Sequence, residues 1–198
     1  MDVLIPDQQS ASALAAAGVL RGAGHRVHAC IGAGGVLCDA MTGRPCPLDE
    51  PGVDVVVDVR ADEPAPFASG GLCAARRHLP MLVLGETEGH PYGPWATAVG
   101  DEDLVDAVDA ATETPLPVQT AAAAKALLWE LRLHGTPSTS AEVAVYRRPG
   151  RLLVELSTDA SVSRTQGERL AAHLAQVVRS ADRWAPKLDV TVHLRPAT

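Results

Sequence analysis

Short apolar runs alternate with helical stretches through the first half of the chain. Val3–Ile5 predicts a strand, Ser10–Ala23 has the composition of a helix, and Arg26–Cys30 predicts a second strand. The longer run Val53–Val59 is typical of a strand that is buried on both faces, as in a parallel sheet. Burial on both faces requires helices on both sides of the sheet.

The same alternation continues to about residue 111. A helix, two strands and another helix are predicted at Gly71–His78, Pro80–Gly85, Thr97–Val99 and Asp101–Ala111. Five strand–helix repeats predict an α/β fold, an open and doubly wound parallel sheet of five strands with right-handed crossovers. The connection Gly32–Gly52 is rich in glycine and proline and has no clear helical pattern, so we expect its crossover to be irregular.

The second half of the chain has a different order of elements. Residues 113–117 contain two prolines and no periodicity, which predicts a linker between a domain at 1–112 and a domain at 118–198. The elements of the second domain are predicted at Val118–His134, Glu142–Arg147, Arg151–Leu156, Gln166–Ala181 and Leu188–Leu194. This αββαβ order packs most simply as two helices on one face of a three-stranded sheet, a small α+β domain of ferredoxin-like type.

Charge and composition exclude several classes of partner. The chain has 24 acidic and 17 basic residues, for a net charge of −7, and only 3% aromatic residues. Nucleic acid and anionic membranes select basic surfaces, and single-stranded nucleic acid also selects aromatic stacking platforms, so we expect neither partner. The sequence has no apolar run of about 18 residues and no basic segment at the N-terminus that resembles a signal peptide, which predicts a cytoplasmic protein.

Two aspartates follow predicted strands of the first domain. Asp7 comes after the first strand, and Asp58 ends the run Val55-Val56-Val57-Asp58 of the third strand. With the strand–helix order, these positions resemble the receiver domain of two-component response regulators over residues 2–111. The resemblance implies a receiver-like, flavodoxin-like sheet in which Asp58 is the phosphoacceptor-like residue and Asp7 belongs to the acidic pair that holds Mg²⁺.

The chain departs from the receiver pattern at three other positions. Gln8 stands where the second acid is expected, Gly85 where a Ser or Thr follows the fourth strand, and Thr97–Gly100 has no lysine. Phosphoryl transfer needs metal and cationic groups to neutralise developing charge. We therefore expect a degenerate pseudo-receiver, in which Asp58 is a polar residue of a binding domain rather than a working phosphoacceptor.

All four cysteines lie in the first domain, at Cys30, Cys38, Cys46 and Cys73, and no two have CxxC spacing. Cys38 and Cys46 bracket a loop whose glycine and proline could bring the two thiols together, so a disulfide or a zinc clamp is one interpretation. The other is that the cysteines are small buried apolar residues, as is usual in a reducing compartment.

Three stretches of the second domain carry another resemblance, and they are Arg151–Leu156, Ser161–Ala171 and Asp189–Pro196. They are similar to the cytoplasmic C-terminal domain of cation diffusion facilitator transporters, over about residues 140–196. The resemblance implies an αββαβ unit that forms homodimers. The alkaline-shock protein family is a second comparison, which fits the hairpin, the helix and the last strand.

The transporter resemblance also implies a metal set. His193 falls on the strand histidine of that family, and Glu155 and Glu168 fall on positions that can carry ligands for Zn²⁺. Arg195 stands where an acid commonly follows the histidine, which disfavours a metal there.

These observations lead to three hypotheses of function. The first is a regulatory or scaffold protein without enzymatic activity, a homodimer that binds a protein partner. It is favoured because the sequence has no nucleophile with an adjacent base, no pair of acids at a spacing suited to catalysis and no phosphate-binding loop. No catalytic residue and no resident cofactor are predicted on this hypothesis. The second is a metal or thiol sensor that uses the residues above. The third is a nucleotide or small-ligand binder at the carboxyl edge of the sheet, near Gly85, Glu86 and His90.

Overall fold

The structure is a computed structural model of the chain, and it describes residues 1–31, 38–49, 52–59, 69–88, 90, 92, 96–133, 141–158, 163–182 and 187–194. The chain divides into two compact units, Met1–Glu113 and Thr114–Thr198. Within the described ranges, no helix is long and apolar enough to cross a membrane.

The first unit contains a five-stranded sheet in which all strands are parallel. The strands are β1 (Asp2–Leu4), β2 (Arg26–His28), β3 (Val53–Val59), β4 (Met81–Leu84) and β5 (Ala96–Val99), in the spatial order β2-β1-β3-β4-β5. The helices are α1 (Ala11–Gly22), α2 (Ser69–Arg76) and α3 (Leu104–Ala111). The predicted α/β class with a five-stranded parallel sheet is confirmed.

The valine run of β3 is central because both faces of this strand are covered. Val55 and Val57 pack with α1 and α3 in one core cluster, and Val56 packs with Ala74 of α2 in a second cluster on the other face. Strand side chains alternate between faces, so a strand between two layers of helices must be apolar at successive positions. In the described part of the crossover from β2 to β3, the regular structure is a short 3₁₀ turn, Asp39–Thr42.

The second unit contains a separate sheet of three strands with mixed direction. Its elements are α4 (Pro117–Leu133), β6 (Ala141–Arg148), β7 (Arg151–Thr158), α5 (Arg164–Ala181) and β8 (Leu188–Leu194). β6 and β7 form an antiparallel hairpin that turns at Gly150, where φ is +68°, and β8 pairs parallel to β7. Residues of α4 and α5 share one core cluster with alternate residues of β6 and β7, so both helices cover the same face.

Leu116, inside the predicted linker, is a core residue of the second unit. Its side chain is 3% exposed, its N–H donates to the Val145 carbonyl at 2.7 Å, and Pro115 forms a bridge to Tyr146. The described chain between Thr114 and α4 is therefore attached to β6.

Candidate functional site

The carboxyl ends of the parallel strands bring the predicted residues of the first unit to one edge. Asp58 is the sixth residue of β3 and pairs with Val83 of β4, and Gly85 and Glu86 follow β4 directly. Asp7 follows β1 and bridges to Ile31, which follows β2. In open parallel sheets this edge is where ligands bind.

Asp58 is hydrogen-bonded to a histidine from the connection between β4 and β5. The Nε2 atom of His90 lies 3.1 Å from Oδ2 of Asp58, and the Tyr92 backbone N–H donates to Nδ1 of His90 at 3.2 Å. Because Nδ1 accepts a hydrogen bond, the ring proton of neutral His90 is on Nε2, which donates to the carboxylate. Both ring nitrogens of His90 are therefore engaged.

His90 is fixed by its own connection. Its backbone N–H donates to the Thr87 carbonyl at 3.0 Å, its ring meets the Tyr92 ring edge-on at 5.5 Å between centroids, and its side chain is only 6% exposed. A buried ring with two hydrogen bonds and an aromatic contact has little freedom to turn. His90 thus anchors the connection after β4 to the end of β3.

The first turn of α2 packs closely beneath this connection. A Cβ atom built on Gly71 would lie 2.4 Å from Cε2 of Tyr92, and one built on Gly70 would lie 2.5 Å from Cβ of Pro6. Both distances are shorter than real carbon contacts, so glycine is required for the helix to approach Pro6 and Tyr92 this closely.

The electrostatics of the edge disfavour charge on Asp58. Burial raises the pKa of Asp58, the positive charge that His90 can carry and its hydrogen bond lower it, and the nearby Asp7 carboxylate raises it, with a net increase. Burial, followed by the Asp58 charge, also raises the pKa of Tyr92. A partly desolvated carboxyl group that is hydrogen-bonded to a buried imidazole is part of the internal structure of this edge rather than an exposed anion.

Three residues at the edge are engaged in the fold of the chain itself. Gln8, at the expected position of a second acid, is buried; its amide donates to the His28 carbonyl at 3.3 Å and accepts from Arg21 at 3.3 Å. Asp7 accepts from the Gln9 backbone N–H at 2.9 Å, as in an Asx turn. Gly85 has a φ of +106° and donates to the Val99 carbonyl, so it turns the chain away from β4.

Of the metal set predicted in the second unit, Glu155 and His193 share one face of the sheet, whereas Glu168 lies apart from them on α5. The neighbours of Glu155 and His193 along their strands belong to the core that the helices cover. Because side chains alternate between the two faces of a strand, Glu155 and His193 lie on the opposite face. Glu168 lies in the first turns of α5 and pairs with Arg164 at 3.1 Å. Arg195 is outside the described residues. Among the described side chains, no three His, Cys, Asp or Glu residues are arranged to hold a metal ion.

A buried ion pair in the second unit was missed by sequence reasoning. Arg147 of β6 donates to Asp182, at the end of α5, with 2.9 Å between Nη2 and Oδ2, and both side chains are at least 95% buried. Gln119 of α4 places its amide nitrogen 3.5 Å from the same carboxylate oxygen. Alternation along the strand is the signal that the sequence offers. Arg147 is two residues after the buried Val145, so its side chain lies on the same, core-facing side of β6.

No protein-family model matches the chain, and no curated protein matches it.

Proposed function

We propose that this protein is a regulatory or scaffold protein without enzymatic activity. On this proposal the first unit is a degenerate receiver-like domain of flavodoxin-like type, and the second is a ferredoxin-like αββαβ module that forms homodimers. The observation that carries the proposal is the hydrogen bond from buried His90 to Asp58.

The strand order supports the first half of the proposal. The order β2-β1-β3-β4-β5 is that of doubly wound sheets of the flavodoxin-like type. Asp58 lies near the carboxyl end of the central strand β3, where such a sheet presents its ligand-binding edge. A receiver-like domain would carry its phosphoacceptor at this position.

The chemistry around Asp58 disfavours phosphorylation. The chain has two lysines, Lys125 and Lys187, and both lie in the second unit, so the first unit has no lysine to neutralise a phosphoryl group. Gln8 is turned towards β2 and α1, and one oxygen of Asp58 is held by His90. Without these charges the transition state for phosphoryl transfer loses its main stabilisation.

In place of phosphorylation, the His90 contact fixes the shape of the edge. It holds His90 and, through His90, the Tyr92 backbone against the end of β3, and a surface anchored in this way suits recognition of a protein partner. The second unit would then supply dimerisation, through the resemblance of residues 140–196 to transporter domains that form dimers.

The test is phosphorylation of the whole protein by acetyl phosphate with Mg²⁺, read by intact mass, with the molar mass measured by light scattering on the same sample. We expect no phosphoryl adduct and a mass of twice the 20.6 kDa chain. Asp58→Asn is the control that identifies any adduct at the carboxylate. A stoichiometric adduct that Asp58→Asn abolishes would refute the degenerate receiver, and a monomer at all concentrations would refute the dimerisation module.

A further inference from the structure

The last strand of the second unit, β8, lies at an edge of its sheet. Among the described residues, β8 pairs with β7 along seven continuous positions and with no other strand. The edge of β6 is covered in part, because the Leu116 N–H donates to the Val145 carbonyl. β8 contains no proline and its pairing with β7 has no bulge, so it lacks two features that commonly protect an edge from pairing.

The backbone of β8 presents a row of hydrogen-bonding groups on its outer side. The Lys187 carbonyl accepts from the Leu152 N–H of β7 at 2.8 Å, and every second residue after Lys187 points its backbone groups in the same direction. The N–H and C=O groups of the intervening residues, Leu188, Val190 and Val192, therefore point away from β7. An edge of this kind is a template for another strand.

The core of the second unit is open at this edge. The three core-facing apolar side chains of β7 are 0% exposed, whereas the three of β8 that pair with them, Leu188, Val190 and Val192, are only half-buried. Both sets belong to one core cluster. A further element packed against β8 would remove this apolar surface from water, which favours association.

The sequence of β8 is self-complementary in one antiparallel register. Two copies of β8 that pair about a twofold axis at Thr191 place Asp189 of each copy opposite His193 of the other. Val190 then lies opposite Val192, so the outward backbone groups of the two valines meet as hydrogen-bonded pairs. Thr191 and the acid–histidine pairs occupy the positions between, where opposed side chains are closest. A carboxylate opposite an imidazole is a favourable pair, and the twofold axis forms it twice.

Asp189 is anchored on the open face of the sheet, where it can reach a second copy. Its Oδ2 atom accepts from Nη1 of Arg151 at 2.8 Å, and its side chain is 34% exposed. A carboxylate has about four acceptor positions, so the contact with Arg151 leaves capacity for another donor. His193 is exposed and lies on the same face of β8 as Asp189.

Small residues lie along the flank of α5 that borders this edge. α5 packs against β8, and α4 packs against β6. Gly167, Ala171 and Ala175 recur every four residues on α5, on the side opposite His173, which contacts α4. Helices pack with their axes about 8–10 Å apart, and small side chains allow the lower end of this range. Two copies of α5 can therefore lie side by side above two paired copies of β8.

We infer that the second unit dimerises through β8, which pairs antiparallel with β8 of a second copy about a twofold axis at Thr191. The two sheets of three strands become one sheet of six, with the four helices on the same face. This inference rests on the proposed homodimer and names its interface.

The first test is disulfide trapping in the full-length protein. Opposed residues of a non-hydrogen-bonded pair have Cα atoms about 4.5 Å apart, which a disulfide can span. Thr191→Cys should therefore form a covalent dimer under mild oxidation, and reductant should reverse it. His193→Cys is the matched control, because its two copies are four residues apart along the paired strands, or about 13 Å. It should crosslink no more than the native protein.

The second test changes the charge at the exposed His193. His193→Glu places an acid opposite Asp189 at two symmetric points and should raise the Kd of the dimer at least about tenfold in analytical ultracentrifugation. His193→Lys places a cation there and should keep or lower the Kd. Trp129→Glu, at a side chain of α4 that is 60% exposed, is the control for a dimer through α4 and should leave the Kd unchanged.

The outcomes separate the interface from the homodimer itself. A dimer that Thr191→Cys does not trap and that His193→Glu does not weaken would overturn the β8 interface while the homodimer stands. Loss of the dimer in Trp129→Glu, with His193→Glu unaffected, would also overturn it and assign the interface to α4. A native protein that is monomeric at all concentrations would refute the proposed dimerisation module, and the β8 interface with it.

Discussion

The contact between Gly71 and Tyr92 makes a sharp prediction about the candidate site. Replacing Gly71 with alanine adds one methyl group, which would lie 2.4 Å from Cε2, 3.0 Å from Cδ2 and 3.1 Å from Cζ of the Tyr92 ring. Carbon atoms in favourable contact are about 3.5–4.0 Å apart, so the ring or the helix must move by roughly 1 Å. The Tyr92 backbone is held by its hydrogen bond to His90, so the ring must turn about its own side-chain bonds or α2 must shift away.

The magnitude follows from three contributions to the free energy of unfolding. Overpacking of this kind costs about 1–3 kcal/mol, and weakening the Tyr92–His90 hydrogen bond costs about 1 kcal/mol more. Alanine gains at most about 1 kcal/mol over glycine in a helix, and less in its first turn. We therefore expect Gly71→Ala to destabilise the first unit by about 1–3 kcal/mol.

Gly18→Ala is the matched control in the same unit. Gly18 is inside α1, is exposed, and has open space where the alanine methyl group would lie, with no other atom within 4 Å. Alanine there should stabilise the unit by about 0.5–1 kcal/mol through helix propensity alone. The same substitution is thus expected to have opposite signs at two helical glycines.

The assay is urea unfolding followed by hydrogen exchange and mass spectrometry, which reports on peptides of the first unit separately. Gly71→Ala should also speed exchange at the Tyr92 and His90 amides, whereas Gly18→Ala should not. If Gly71→Ala were as stable as the native protein or more so, the close approach of α2 to Tyr92 would be refuted.

Three further predictions follow from hydrogen bonds to carboxylates. His90→Ala removes the donor to Asp58 and should destabilise the first unit by about 1.5–3 kcal/mol in urea unfolding, whereas His90→Gln should lose less. The raised pKa of Asp58 means that the folded state binds a proton at Asp58 more tightly than the unfolded state does. This proton stabilises the fold most at a pH below the ordinary pKa of 3.8, and its contribution is lost as the pH rises through the folded pKa. Asp58→Asn should lack this fall in stability when the melting temperature is measured from about pH 4 upwards. Asp182→Ala leaves Arg147 in the core without its carboxylate and should destabilise the second unit by about 3–5 kcal/mol, and a loss below about 1 kcal/mol in unfolding would contradict a buried pair.

The sheet of the first unit could be predicted because its strands are read from local composition. The predicted strand Val53–Val59 has the same bounds as β3, because five valines within seven residues are typical of a buried strand in an α/β protein. The positions of Asp58 and His90 at one edge also followed from strand order. Their hydrogen bond did not, because it depends on how the connection after β4 folds back, and no local pattern determines that path.

The sequence misled where polar residues lie in the core. Arg147 is a charged residue in the predicted hairpin, so its hydropathy predicts that it lies at the surface. Its position in the alternation along β6 instead predicts the core, and the structure buries it there. Its partner Asp182 is 35 residues away, so only the tertiary structure reveals the pair. Leu116, within the predicted linker 113–117, shows the same limit of local patterns: the two prolines indicate irregular backbone, and only the tertiary structure reveals the burial of Leu116 against β6.

The helix α2 is held in place by contacts at both of its ends. It has eight residues and its described side chains bury little apolar surface beyond Ala74, so contacts from other segments must hold it in place. Tyr92 and Pro6 lie against its first turn, Ala74 packs in the core cluster of Val56, and Arg77 just after its end pairs with Asp49. Because a helix of eight residues has little stability of its own, weakening the contact at either end should loosen the whole of α2.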